Sequence, residues 1–473
     1  MKQDIYTKIK EGSLKYEDYI FEVLNNIENR NKEINAFISI NQNIKNEIKN
    51  IDENIRNNKE RKLEGMTFAV KDNILVTGLS ATAGSKMLKD YKASYEATVI
   101  KKIKEAGGVV VGKTNMDEFA MGSSNETSYF GVVKNPHNLS KVPGGSSGGS
   151  VAAVASGMVD VALGSDTAGS IRQPASFCGV VGFKPTYGAV SRFGLIAMSS
   201  SLDVIGPIAK NVSDCEMIFD IIAGKDDYDA TSVEVVSENK EWTLDDVKNL
   251  TIGVPKEYFV TGIDQEVKDN INKFISKLKE LGIKIKEISL PHTEYAIACY
   301  YIIMPAEVSS NLARYDNVRY GSKIDDLNIQ NLKDLYFKTR GDGFGREVKR
   351  RILLGTYVLS KGFYDQYYTK AQKVRRLIKQ DFDKAFKEVD LILTPTCPDV
   401  AFNFGAKKQD PISMYLSDIF TVPMNLAGIP AISLPLAKNK DGLPIGLQLT
   451  MPEKFDKKLL KISKIIELLI NYN

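Results

Sequence analysis

Residues 122–210 are dominated by glycine, serine and other small residues, and this tract restricts the possible folds more than any other part of the chain. Flexible Gly/Ser linkers lack apolar runs, whereas Val151–Ala155 and Val159–Leu163 interrupt the small residues here. The tract therefore reads as packed backbone, with tight turns and main-chain groups brought close to something. Around it, strand and helix signals alternate. Met66–Val70 is a short apolar strand, Thr98–Ala106 a helix closed by Gly107-Gly108, Val109–Val111 a buried strand and Asn115–Met121 a helix. Thr251–Val254, Glu266–Leu281 and Ile283–Ile288 read as strand, helix, strand. A long helical stretch runs from about 346 to 387. Strands return at Leu391–Leu393 and Ala431–Leu434, and Lys457–Leu469 is a closing amphipathic helix. Such alternation predicts an α/β fold with a largely buried sheet.

Residues 1–60 have a different texture. They are polar, with Tyr19, Ile20, Val23, Leu24 and Ile27 at helical spacing and Ser13 as a candidate N-cap. We read them as an N-terminal helical arm on a main domain of residues 61–473. The chain of 473 residues is 43% apolar and 26% charged, ordinary values for a packed globular protein. Its net charge is only +4, so any nucleic acid is expected to be held mainly by a partner. Cys178, Cys215, Cys299 and Cys397 are dispersed and form neither a zinc motif nor a disulfide framework. There is no signal-peptide core and no apolar run of membrane-spanning length. The expectation is a soluble, cytoplasmic protein with no membrane contact.

One motif is a decoy. Residues 107–114, GGVVVGKT, satisfy the phosphate-loop expression G-x-x-x-x-G-K-[ST]. Consecutive valines favour extended backbone over a loop curled round phosphate, and a helix precedes the first glycine. The segment is expected to be strand.

Three other features carry chemistry. Lys71 follows an apolar strand, where desolvation would lower its pKa and suit it to act as a general base; a solvated lysine at a strand end is the plainer reading. Residues 144–150, GGSSGGS, put serine hydroxyls on glycine-rich backbone at a helix entry. Residues 164–174, GSDTAGSIRQP, place Ser170 after small residues whose N–H groups could form an oxyanion hole. Taken singly, the first of these two blocks is as easily a mobile Gly/Ser loop and the second as easily a tight turn. The G-x-S-x-G pattern centred on Ser146 or Ser147 lacks the buried strand that a nucleophile elbow needs. With only His137 and His292 in the chain, both beside prolines in turn-like or strand-end settings, a serine enzyme here is better served by a lysine base.

In combination and at these spacings, Lys71, the Gly144–Ser150 block and the Gly164–Pro174 block resemble the amidase signature family. The resemblance runs over nearly the whole chain and is weakest in residues 1–60 and 225–250. It implies that family's fold, a large mixed β-sheet covered by helices on both faces. It also implies Ser170 as nucleophile, Ser146 as a bridging serine with a cis peptide bond, and Lys71 as base. The N–H groups of Thr167, Ala168, Gly169 and Ser170 would form the oxyanion hole. Residues 112–126, 300–303, 309–321, 345–355 and 414–430 resemble the branch of the family that works within tRNA-dependent amidotransferases.

That resemblance implies a glutaminase that passes ammonia to a partner in a heterotrimer, with two other subunits. The partner would hold the mischarged tRNA and bind ATP and Mg²⁺. No cofactor and no metal are expected in this chain. Tyr301, Arg350 and Asp418 would bind glutamine, with Arg351 as an alternative to Arg350. A free-standing amidase acting on another small amide, and an assembly subunit with vestigial catalytic groups, are the competing readings.

Overall fold

The computed structural model describes residues 2–259, 262–321, 329–407 and 410–471. Eleven strands form one sheet: β1 (Phe37–Ile40), β2 (Thr67–Lys71), β3 (Val109–Thr114), β4 (Val161–Asp166), β5 (Val181–Lys184), β6 (Val204–Ala209), β7 (Thr251–Pro255), β8 (Lys284–Ile288), β9 (Leu391–Pro395), β10 (Ala431–Lys438) and β11 (Pro444–Thr450). Their order is β1-β3-β2-β4-β6-β5-β10-β11-β9-β7-β8. The sheet is mixed. β2 runs parallel to β3 and β4, and β7 parallel to β8 and β9, while β4–β6, β5–β6, β5–β10 and β10–β11 are antiparallel.

Both faces are covered, which explains the apolar strands without polar alternation. In β2 and β3, Phe68, Val70 and Val110 join one core cluster; Ala69, Val109 and Val111 join another on the opposite face. The first cluster includes Val99, Ile100 and Ile103 of α2 (Thr98–Glu105), together with residues of α5 (Gln265–Glu280) and α9 (Asp456–Asn471). The second takes Ile20 and Ile27 of α1 (Tyr16–Ile34), Val151–Val154 of α3 (Gly148–Ala155) and Ala175 of α4 (Arg172–Cys178). A third cluster is built largely on α6 (Ala296–Asn311), α7 (Arg346–Val358) and α8 (Lys370–Ala385).

Several expectations need correcting. The N-terminal segment is helical but also supplies edge strand β1, which pairs with Gly112–Thr114 of β3. Ser13 does not cap α1: Lys15 holds the cap position with no side-chain bond, and the Ser13 hydroxyl donates to Lys8 O. Asn115–Met121 is not an α-helix, because Phe119 and Ala120 have φ of 48° and 63°; only a short 3₁₀ turn forms at Glu118–Ala120. The stretch 346–387 is broken, ending α7 at Val358 and resuming in α8 after a π-helical turn at Asp365–Thr369.

The decoy motif is settled by the backbone. Gly112, Lys113 and Thr114 lie within β3. The buried Lys113 Nζ pairs with Asp72 Oδ1 at 3.2 Å and donates to Ser80 O. A lysine committed to a buried carboxylate is structural.

Candidate active site

Parallel pairing of β2 with β4 brings the C-terminal end of β2, which carries Lys71, beside the loop that follows β4, which carries Ser170. The small-residue block 144–150 enters α3 against the same strand ends. Lys71 is fully buried, and its Nζ donates to Ser146 Oγ and Ser147 Oγ at 2.8 Å each and to Ser165 O at 3.1 Å. Burial brings its ammonium down from the usual 10.5 to about 7, against the opposing charges of Asp117, Asp166 and Asp203. The amine is thus available as a base near neutral pH.

The peptide bond Gly145–Ser146 is cis, and Ser146 is fully buried. Ser147 N donates to Ser170 O at 3.1 Å, joining the two serine-bearing segments. Ser170 is 7% exposed. Gln173, on α4, links both segments to their surroundings: its Oε1 accepts from Gly145 N at 2.9 Å and its Nε2 donates to Ser123 O at 2.9 Å. Sequence reasoning missed Ser147 and Gln173. Ser147 is indistinguishable from its neighbour until the backbone shows that both hydroxyls reach the lysine.

Loop 167–170 is held from below. Arg172, fully buried, donates to both oxygens of Asp166, to Asn425 Oδ1, to Gln448 Oε1 and to Thr421 O. Although burial alone would raise it, Asp166 is held at about 2 by this guanidinium. Thr167 Oγ1 donates to Asp203 Oδ1, and Thr421 Oγ1 donates to Ala168 O at 2.6 Å. Gly169 has φ of 144°, and a Cβ there would meet Thr421 Oγ1 at 2.2 Å, so only glycine fits. None of the N–H groups of Thr167, Ala168, Gly169 and Ser170 donates to another described residue. Backbone donors left unpaired in a buried loop are available to an incoming oxyanion.

A cavity of about 390 Å³ is lined by Ser123, Thr127, Arg350, Arg351 and Tyr415 among others, and Ser123 O accepts from Gln173 Nε2 of α4, the helix that follows this loop. Asp418 lies behind its wall, 5% exposed, with Oδ2 accepting from Ser123 Oγ at 2.5 Å. Its Oδ1 is buried without a hydrogen-bond partner, and leaving such an atom unpaired costs about 1–3 kcal/mol. Burial pushes the Asp418 carboxyl up to about 7. Tyr301 stacks on Tyr415 with ring centroids 3.7 Å apart, and the Arg351 guanidinium lies 5.4 Å from the Tyr301 ring centroid.

The two arginines differ. Arg351 is buried, with Nε on Glu347 Oε1, whereas Arg350 is one-third exposed, with Nη1 on Glu347 Oε2. Arg350 thus lines the cavity directly, while Asp418 reaches it through Ser123 and Tyr301 through Tyr415; Ser146 meets Lys71 directly, and Ser170 is joined to it through the backbone of Ser147. His137 and His292 are engaged elsewhere, with Cys178 O and Asp381 respectively.

Comparison with known proteins adds an independent line. A family profile described as amidase matches residues 18–460. The A-subunit of glutamyl-tRNA(Gln) amidotransferase from Syntrophus aciditrophicus is 50% identical over 466 residues, covering 98% of this chain and 96% of that one. The protein of the same name from Fusobacterium nucleatum is 50% identical over 469 residues, covering 98% and 95%. The crystal structure of the glutamyl-tRNA(Gln) amidotransferase A-subunit from Thermotoga maritima superposes with a TM-score of 0.79 at 42% identity, covering 100% of this chain and 93% of that one. Peptide amidase from Stenotrophomonas maltophilia superposes with a TM-score of 0.80 at 26% identity, covering 99% and 96%.

Proposed function

The chain belongs to the amidase family, and from that premise we propose that it is the glutamine-hydrolysing subunit of a tRNA-dependent amidotransferase. It works in a complex with other subunits, as the names of its relatives imply. The observation that carries the chemistry is the buried Lys71 Nζ, 2.8 Å from Ser146 Oγ, with no histidine in the site.

The neutral amine of Lys71 takes the Ser146 hydroxyl proton while Ser146 Oγ takes that of Ser170. Ser170 Oγ attacks the side-chain amide carbon of glutamine, and the N–H groups of residues 167–170 receive the oxyanion. One such donor contributes about 3–4 kcal/mol to the transition state. The proton returns through Ser146 to the leaving nitrogen, ammonia departs, and water releases glutamate from Ser170 by the same steps in reverse.

Arg350, the more exposed of the two arginines, holds the α-carboxylate, and Asp418 takes the α-ammonium on its unpaired Oδ1. Tyr301 and Arg351 shape the wall between them. Free ammonia would protonate and diffuse away in water, so an enclosed path to the partner is expected. In this reading the complex is a heterotrimer, and the partner holds the mischarged tRNA, ATP and Mg²⁺. That division is supported by Lys113, which is committed to Asp72 in a strand. Among the described residues no helix is long and apolar enough to cross a membrane.

Ammonia release from glutamine tests the proposal, measured on the purified chain and on its complex with partner subunits, ATP and mischarged tRNA. Low basal release that rises with the partners is expected, and Ser170→Ala should lower it by at least about 10³-fold while the complex still assembles. Vigorous hydrolysis of varied amides without partners would instead identify a free-standing amidase. Retained turnover in Ser170→Ala would remove Ser170 as nucleophile.

A further inference from the structure

When Lys71 takes up the serine proton it becomes a buried cation, yet its hydrogen-bond partners are two hydroxyls and a carbonyl, none of them charged. Histidine-based serine enzymes meet the same need with a buried carboxylate behind the base. Building on Lys71 as base, we infer that Asp117 is its counter-charge, a positioning residue that sets the lysine's basicity across the backbone of Gly145–Ser146.

The geometry comes from both sides of that backbone. Asp117 N donates to Ser146 O at 3.3 Å. A Cβ on Gly145 would lie 2.1 Å from Asp117 Oδ2, and one on Gly122 would lie 2.3 Å from its Cγ. The carboxylate is therefore clasped between two residues that must be glycine, one of them directly preceding Ser146.

Its hydrogen bonds favour the ionised form. Oδ2 accepts from Asn125 N at 2.9 Å, and Oδ1 accepts from Thr127 N at 3.3 Å and Thr127 Oγ1 at 2.8 Å. Every contact is a donor, as an ionised carboxylate demands. Burial pushes the Asp117 carboxyl above its ordinary value, and these three donors offset part of that rise.

Three acids face Lys71: Asp117, Asp166 and Asp203. Asp166 is neutralised by Arg172 at 3.0 Å, and Asp203 accepts from Thr167 Oγ1 and the N–H groups of Met198 and Ser199. Among the described residues Asp117 forms no ion pair, so its charge remains available to the lysine. Of the three, it opposes the effect of burial on Lys71 most strongly.

The test is Asp117→Asn in the complete amidotransferase, with kcat for glutamine followed against pH. Asparagine keeps the size and one acceptor but removes the charge. The ascending limb is expected to move to lower pH by about one unit, the lower end of what an adjacent opposite charge contributes. The plateau kcat should fall at least about tenfold, because the lysine is a weaker base. Lost activity with an unmoved limb would make Asp117 a structural brace and overturn the inference. Absence of the limb in the unsubstituted enzyme would instead overturn Lys71 as base. Should the variant fail to assemble, ¹³C NMR of the unsubstituted complex carrying carboxyl-labelled aspartate decides the matter. The Asp117 carboxyl should be ionised at about neutral pH, and a protonated one would overturn the proposal.

Discussion

Lys71 can accept a proton only when neutral, and burial brings its ionisation to about 7. In the binding mode proposed above, Asp418 attracts the ammonium of glutamine only when charged, and burial raises its ionisation to the same region. The signs differ in what they affect. As pH falls through 7, Lys71 gains a proton and loses its lone pair, so kcat should drop about tenfold per unit below the limb. Over the same range Asp418 loses its charge, so KM should rise. Initial rates of glutamine hydrolysis against pH, fitted separately for kcat and KM, will show both limbs. In Asp418→Asn the KM limb should vanish at a KM raised by about 10²-fold or more, the loss expected when one partner of a buried charged hydrogen bond is removed. The kcat limb should stay in place.

Helices α6 and α7 cross without space to spare: a Cβ on Gly355 would lie 1.8 Å from Pro305 O. This contact sets Tyr301 of α6 against Arg351 of α7. Gly355→Ala must push the helices apart, and overpacking of this kind costs about 1–3 kcal/mol. A lower thermal midpoint together with a higher KM for glutamine is the expected outcome, read by calorimetry and steady-state kinetics.

Elements with long, uniform patterns were legible in the sequence, such as α5 between β7 and β8, or the apolar β2 that ends on Lys71. The closeness of Lys71 to the 144–150 block was legible too, because these blocks in combination are too unusual to be turns. Asn115–Met121 was not. Its composition suits a helix, but Phe119 and Ala120 adopt positive φ where the chain wraps the Asp117 carboxylate, a tertiary demand that overrides local preference. Strand β1 was hidden for a similar reason: four residues carry little periodicity, and only pairing with β3 makes them a strand.

At the scale of the molecule, the nucleophile loop rests on residues far away in the chain. Arg172 bonds Thr421, Asn425 and Gln448 as well as Asp166, so three separate elements meet beneath Ser170. Arg172→Met would leave the Asp166 carboxylate buried and unpaired, and breaking such a pair costs about 3–5 kcal/mol. Denaturant unfolding should show that loss, with activity falling in step because the oxyanion donors lose their support.

The same arrangement has a consequence in time. Arg172 and Gln448 are 276 residues apart, and a ribosome adds about 5–20 residues per second. For an interval on the order of tens of seconds, the nascent chain therefore carries its serines without the floor they stand on. β5 likewise waits for β10, so the middle of the sheet closes only after residues 431–433 have been made. A polypeptide abandoned before residue 421 lacks every one of these distant partners, and its serine-bearing loop has nothing beneath it to set its shape.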